Sequence, residues 1–277
     1  MSVINTNVNS IVAQNAATAN SRGMSKVMEQ LSTGKRINGA ADDAAGLAIS
    51  NKMTSQIRGL NQAVRNANDG ISMIQVTEGA TVEVTNMLQR MRELAVQGIN
   101  GTNTTADRTS LKTEYQQLGL EIKRISDNTE WNTTKVANAS ATHTFQVGAN
   151  ADQTIAVAFK NITELNGMTA VISAGAAASA GAVADFAGSV ITGLDTAIAS
   201  IDSYRSTLGA TINRLNYAGD NLQNISANTS ASRSRILDTD YAQATTELAR
   251  TQIIQQAATA MLAQANQQPQ SVLSLLR

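Results

Sequence analysis

Residues able to do acid–base, nucleophilic or metal chemistry are few in this chain, and badly spaced for it. Histidine occurs once, as His143, inside a run of alternating β-forming residues. A His-based triad or metal site therefore has nothing to draw on, and His143 reads as an ordinary strand residue. Cysteine does not occur, which removes thiol nucleophiles, thiolate zinc sites and disulfide scaffolds. Asp42 and Asp43 would make a pair of acids, but acidic residues just ahead of a helical pattern are explained by the positive end of a helix. The phosphate-cradling G-x-x-x-x-G-K-[ST], the dinucleotide G-x-G-x-x-G, the zinc-binding H-E-x-x-H and the G-x-S-x-G elbow do not occur. Triplets such as Asn138-Ala-Ser140 are what chance supplies in a chain rich in Asn and Thr. No catalytic or metal residue and no cofactor is expected; the chain reads as a non-enzyme.

Composition narrows the class further. The 277 residues carry 21 basic and 21 acidic side chains and one Pro; 42% of them are apolar and only 3% aromatic. That length is enough to bury a core. A balanced charge argues against nucleic acid or an anionic membrane as partner, since both reward a basic surface. A core poor in rings must be built from Ala, Ile, Leu, Val and Met, which suits helices packed along their length. The first ten residues lack a basic stretch followed by an apolar one, so no secretory signal peptide is read there. No uncharged apolar run reaches bilayer-spanning length.

The elements that must position everything else come from apolar spacing. From Ile57 the series runs Leu60, Val64, Ala67, Ile71, Ile74 and, after a weak stretch at 77–81, Val84, Leu88, Met91 and Ala95. Steps of three and four mark one face of a helix over 57–97, roughly 60 Å long, with a slip or bend expected at the weak stretch. Turn residues follow over 98–107. A second helix carries Leu111, Tyr115, Leu118, Ile122 and Ile125, and a third runs over 190–236 from Leu194 to Ile225. Three such segments predict a bundle of near-parallel rods with coiled-coil-like packing. Between them, 142–147 and 154–159 alternate as a β-hairpin around 148–152. The small-residue run 173–184 reads either as a linker or as a weak helix start.

Both ends are amphipathic and lack a neighbour in sequence to pack against. Residues 3–31 place Ile4, Val8, Ile11 and Leu31 at helical spacing, and residues 241–265 place Leu248, Ile254 and Met261. Ordering an isolated arm costs more conformational entropy than its few apolar side chains return. Such an arm is expected to order only against the other arm or against further copies of the chain, the pattern of an assembly protein.

Several longer motifs now carry a resemblance. Near the N-terminus stand Ile4-Asn-Thr-Asn7, Gln30-Leu-Ser-Thr-Gly-Lys-Arg-Ile-Asn38, Asp42-Asp-Ala-Ala-Gly-Leu-Ala-Ile49, Ala67-Asn-Asp-Gly-Ile-Ser72 and Leu88-Gln-Arg-Met-Arg-Glu-Leu-Ala-Val-Gln97. Near the C-terminus stand Ala231-Ser-Arg-Ser-Arg-Ile236, Asp240-Tyr241 and the run from Gln264 to Arg277. Together they make the chain resemble a bacterial flagellin over about 130 residues at the front and 90 at the back. The resemblance implies a mainly α fold, a long antiparallel helical bundle or coiled coil with a small β-hairpin region and no large outer domains. It implies terminal coiled-coil arms (1–42 plus 238–277), a helical rod (43–130 plus 185–237) and a short variable surface region (131–184). Where the family usually carries Gly and Leu, this chain has Thr133 and Ala137, a departure confined to one turn.

The function so implied is a structural subunit that self-assembles into the extracellular flagellar filament for swimming, exported through the flagellum's own secretion apparatus. Implied partners are further copies of itself, an export chaperone, and the filament cap and hook-junction proteins. On the host side they are a Toll-like flagellin receptor and cytosolic inflammasome receptors; neither nucleic acid nor membrane is among them. By resemblance the Toll-like receptor reads Arg90, Leu94 and Glu114, with Arg90 and Leu94 four apart and so expected to share a helix face. Val272, Leu273, Leu275, Leu276 and Arg277 resemble the segment sensed in the cytosol, and all five belong to the assembly arms. Two rival readings are a hook-filament junction protein and a membrane-active translocator.

Overall fold

Capping and turn chemistry, rather than apolar spacing, decide where the helices begin and end. A computed structural model describes residues 6–169, 171, 172, 186 and 188–274, with the side chains of 268–274 left out. Its contacts divide the chain into two compact units, one of residues 1–56 with 227–277 and one of residues 57–226. The stretch 173–184, linker or helix, lies outside the described residues, as do Ile4, Leu275, Leu276 and Arg277.

In the first unit, α1 (Val8–Thr33) starts at Asn7, whose side chain accepts from the Ser10 amide. It ends at Gly34, held at φ +70, the left-handed conformation that closes a helix and that glycine adopts without strain. The return to α2 (Ala44–Ile99) is built by the acidic pair. Asp42 Oδ2 accepts from the amides of Asn38 and Gly39, each at 3.1 Å, while its other oxygen pairs with Lys26 Nζ at 2.8 Å. Asp43 Oδ1 accepts from the Gly46 amide at 2.9 Å and so caps α2. The two aspartates are thus turn and cap residues, as expected from their place before a helix.

The C-terminal strand of the same unit mirrors this turn. α4 (Gly188–Leu237) hands over to α5 (Tyr241–Ser274) through a short connection that bridges Lys35 to Asp238. The Arg36 amide donates to the Leu237 carbonyl at 2.7 Å, and the Thr239 amide to Gly34 at 3.1 Å. Beyond it α1 and α5 run antiparallel. Tyr241 hydroxyl donates to the Leu31 carbonyl, Asn20 to that of Thr251 and Asn7 to that of Ala265, so partner numbers fall as α1 numbers rise.

The second unit is a three-helix layer with hairpins. α3 (Thr105–Asn128) opens on a reciprocal capping box: Thr104 Oγ1 accepts from the Asp107 amide, and the Asp107 carboxylate accepts from the Thr104 amide. That box lies inside the stretch expected to be turn. α2 and α4 run antiparallel here, tied by Ser226 Oγ donating to Asn61 Oδ1 at 3.0 Å and by Arg92 Nε to Asp195 at 2.7 Å. One core gathers Leu88, Met91 and Leu94 from α2, Tyr115 and Ile122 from α3 and Leu194 and Ile201 from α4. A second gathers Ile74, Tyr204, Leu208 and Leu215 with the inward side of the larger hairpin.

α2 does not break at 77–81; it is helical throughout. Thr77, Thr81 and Thr85 are buried there and continue the three-four series. Each hydroxyl donates to a carbonyl of its own helix, at Met73, Glu78 and Thr81 respectively. A threonine so satisfied can sit in a core, so the polar letters hide an unbroken face.

Two small β-hairpins complete the unit. β1 (Glu130–Trp131) and β2 (Thr134–Lys135) pair around Asn132 at φ +45 and Thr133 at φ +65, a two-residue turn with both central residues left-handed. The turn therefore forms without the glycine. Ala137, standing where the family usually has Leu, is fully buried, and its carbonyl accepts from Ser126 Oγ and the Ile162 amide. β3 (Ala141–Gln146) and β4 (Thr154–Phe159) pair antiparallel with Ala141 opposite Phe159, one residue earlier at the first strand than expected. Ile155, Val157 and Phe159 point into the core and alternate with exposed residues. His143 lies in β3 with its ring edge-on to Phe159.

Candidate assembly and recognition surfaces

The arms are built as a pair yet leave much of their apolar surface open. Along α1, Val27 is buried, whereas Val8, Ile11, Val12 and Met28 are exposed. Along α5, Ala244 and Thr251 are buried, while Ile253, Ile254 and Met261 are exposed, Ile253 at 66%. Leu31 and Leu248 are half-buried. Val272 and Leu273 lie on α5 by their backbone, with side chains outside the described residues. Between the two helices runs a groove of about 560 Å³ lined by Val12, Ala13, Ala16, Ala258 and Met261 with a few polar neighbours. Small side chains, Ala13 and Ala16 on one side and Ala258 on the other, keep that groove open. Isolated exposed apolar residues are ordinary, but Val8, Ile11 and Val12 on α1 and Ile253, Ile254 and Met261 on α5 are exposed in groups on two paired helices, which makes the arms the candidate surface.

A second surface lies on α2 and α3. Arg90 donates to Glu114 through Nε at 2.9 Å and reaches it again through Nη2 at 2.8 Å, while Nη1 pairs with Glu93 at 3.0 Å. All three side chains are about half exposed or more. Glu114 first, then Glu93, raises the guanidinium above its ordinary value and keeps it charged. The structure thus brings two of the three expected recognition residues together, in a charge-assisted contact between helices in which two Arg90 nitrogens share one Glu114 oxygen.

Leu94 is placed differently. It is 1% exposed and belongs to the core with Leu88, Met91 and Ala95. Four residues advance a helix by slightly more than one turn, so positions 90 and 94 are offset by about 40°. That offset carries Leu94 onto the buried stripe and leaves Arg90 on the solvent side. The expected shared face is therefore split: Arg90 is half exposed and Leu94 lies in the core.

One cluster was not foreseen from the pattern. Phe186 packs edge-on to Tyr115, with ring centres 5.9 Å apart, and lies against Gly98, where any Cβ would overlap its ring. Burial pushes the Tyr115 phenol up to about 12, and its hydroxyl has no hydrogen-bond partner among the described residues. The signal available in the sequence was a glycine one residue before the end of a long helix, which only the fold connects to position 186. Among the described residues no group of His, Cys, Asp or Glu could hold a metal ion. Likewise, no described helix is long and apolar enough to cross a membrane. The chemistry on offer is that of surfaces: apolar burial along the arms and charge-assisted hydrogen bonding at Arg90.

Residues 4–142 match the bacterial flagellin N-terminal helical region, and residues 191–276 match the bacterial flagellin C-terminal helical region. A flagellin of Halalkalibacterium halodurans is 48% identical over 278 aligned positions, covering 99% of this chain and 100% of that one. Flagellin B of Vibrio cholerae is 35% identical over 371 positions, with 99% of both chains covered. The crystal structure of Bacillus cereus flagellin is similar over 57% of this chain and 88% of its own, at 30% identity and a TM-score of 0.48. With both helical regions matched in order, and a relative aligned from end to end, this chain belongs to the bacterial flagellin family.

Proposed function

We propose that copies of this chain assemble through the open faces of α1 and α5, and that the exposed apolar series there is what polymerisation buries. A flagellin is a structural, non-enzymatic subunit of the extracellular flagellar filament, and it polymerises with itself. The observation supporting the role of the arms is the groove between α1 and α5 lined by Val12 and Met261, both exposed, which one chain leaves open. In this reading the arms (1–42 plus 238–277) line the filament core, the rod (43–130 plus 185–237) forms the next shell and 131–184 faces outward. Before export, the same apolar surface on α5 is what a chaperone would mask, and at the filament ends it meets the cap and hook-junction proteins. The test is polymerisation of purified monomer in precipitating salt, compared with a chain lacking residues 1–40 and 240–277. Long uniform filaments from the full chain alone are expected; equal polymerisation of the truncated chain would overturn the role of the arms.

A second role is favoured by the geometry at Arg90. An arginine already oriented by Glu114 and Glu93, half exposed, is the kind of residue that anchors an interface. We assign it, with Glu114, to the surface that a host Toll-like receptor reads on the monomer, Leu94 acting as its buried support. Val272, Leu273, Leu275, Leu276 and Arg277 are assigned to cytosolic inflammasome recognition. An Arg90→Ala monomer is expected to lose most of its signal in a receptor reporter assay, and undiminished signalling would remove the assignment.

A further inference from the structure

Methionine is the one readily oxidised side chain on the arms, since the chain has no cysteine. Its distribution is uneven. Met73, Met91 and Met168 are buried at 4%, 0% and 0%, and Met24, Met53 and Met87 are half-buried. Among the described residues, only Met28 at 50% and Met261 at 65% are exposed, and each lies on an arm helix. Met261 also lines the groove between α1 and α5, with Val12, Ala13, Ala16 and Ala258.

From this distribution we infer that Met28 and Met261 are an oxidation site through which a peroxide blocks assembly of the monomer while leaving the finished filament largely untouched. The inference rests on the reading that the open arm faces are buried between copies. The reaction balances with hydrogen peroxide alone. A sulfur lone pair attacks one peroxide oxygen, an S–O bond forms and the O–O bond breaks. Sulfur gives up two electrons, and the departing hydroxide takes the proton of the oxygen now bound to sulfur and leaves as water. The product is a sulfoxide, a polar and chiral group in place of a flexible apolar one.

In the monomer that change is tolerated, because a sulfoxide on an exposed helix face is solvated. Neither residue contributes to a buried core of the described chain. Assembly changes the balance. At Met261 a sulfoxide oxygen pressed into a seam lined mainly by Val12, Ala13, Ala16 and Ala258, with Asn9 and Gln264 the polar side chains beside it, loses most of its water, which weakens association by roughly tenfold. At Met28 the cost is that of covering a polar group on an exposed arm face. In the filament the same seams exclude the oxidant, so order of events matters: oxidant before assembly inhibits, oxidant after assembly does not. A thiol-driven sulfoxide reductase restores the thioether and with it the monomer's competence.

The test uses the full-length chain. Monomer is treated with dilute hydrogen peroxide, quenched, and its sulfoxides located by peptide mass mapping. The concentration needed for salt-induced filaments is then read by sedimentation, with circular dichroism to confirm that helicity is retained. Sulfoxide at Met28 and Met261 ahead of Met73, Met91 and Met168 is expected, with a threshold raised about tenfold or more. A Met28→Leu, Met261→Leu chain, conservative in volume, is expected to show one threshold with and without treatment, whatever its untreated threshold is. Filaments treated after assembly are expected to keep both thioethers. Unchanged assembly of monomer oxidised at both positions would overturn the inference, as would equal inhibition of the leucine variant. Untreated chain that forms no filaments would instead bring down the assembly reading itself, and this inference with it.

Discussion

At the scale of single residues, the side chains that decide local structure are often not those that a pattern of apolar letters picks out. Thr133 is a β-branched residue held at φ +65, a conformation that costs such a side chain about 1–2 kcal/mol. Replacing it with glycine removes the strain, while the added freedom of the unfolded chain returns part of the gain. Thr133→Gly is therefore expected to stabilise the second unit by about 0.5–1 kcal/mol, read as a higher denaturant midpoint with unchanged slope. A lowered midpoint would show that the Thr133 hydroxyl bond to the Asn132 carbonyl outweighs the backbone cost. Arg90 and Leu94 illustrate the opposite case, two residues close in sequence with different work. Leu94→Ala opens a cavity among Leu88, Met91 and Ala95 and is expected to cost about 2–5 kcal/mol. Arg90→Ala breaks an exposed ion pair and is expected to cost under about 1 kcal/mol. Thermal unfolding of the two variants separates fold from recognition: equal losses would contradict the burial of Leu94.

Helices and turns, one scale up, were largely legible, because their signals are local. The 3.6-residue period placed α3 and α4 to within a few residues at most boundaries, and strict alternation placed β4. The missing part of α2 was its first turns, residues 44–56, whose apolar spacing is poor and whose start is set by the Asp43 cap instead. Its continuity through 77–81 was hidden because threonine counts as polar until its hydroxyl is seen bonded to its own helix. The turn ahead of α2 makes a prediction of its own. The hydrogen bond from Lys26, followed by the amides of Asn38 and Gly39, holds the Asp42 carboxyl below its ordinary 3.8. A group whose folded value is depressed adds stability above its unfolded value and loses it as pH falls through the folded one. Wild type is therefore expected to unfold at a higher temperature than Asp42→Asn at neutral pH. The gap should close as pH drops below about 4; a gap that persists in stronger acid would mean that charge is not its source.

For the whole molecule, the question is why a chain of this length leaves its ends half-covered. Each arm helix buries little on its own partner, and Ile253, Ile254 and Met261 remain in solvent. A polar change there should spare the monomer and damage the polymer. Ile253→Ser is expected to shift monomer stability by no more than about 0.5 kcal/mol, yet to raise the filament threshold several-fold by sedimentation. A variant that polymerises at the wild-type threshold would show that this side of α5 is not an interface. What the amino-acid order determined by itself follows from short-range physics. Helical period and β alternation are both local consequences of residue type and spacing. Only tertiary structure decided which letters on those helices face inward. It moved Leu94 into the core, drew three threonines into an unbroken face, set Phe186 over Gly98 and joined α1 to α5 across more than 200 residues of chain. Those outcomes depend on which element lies opposite which, and a contact between residues far apart leaves no trace in the spacing of either.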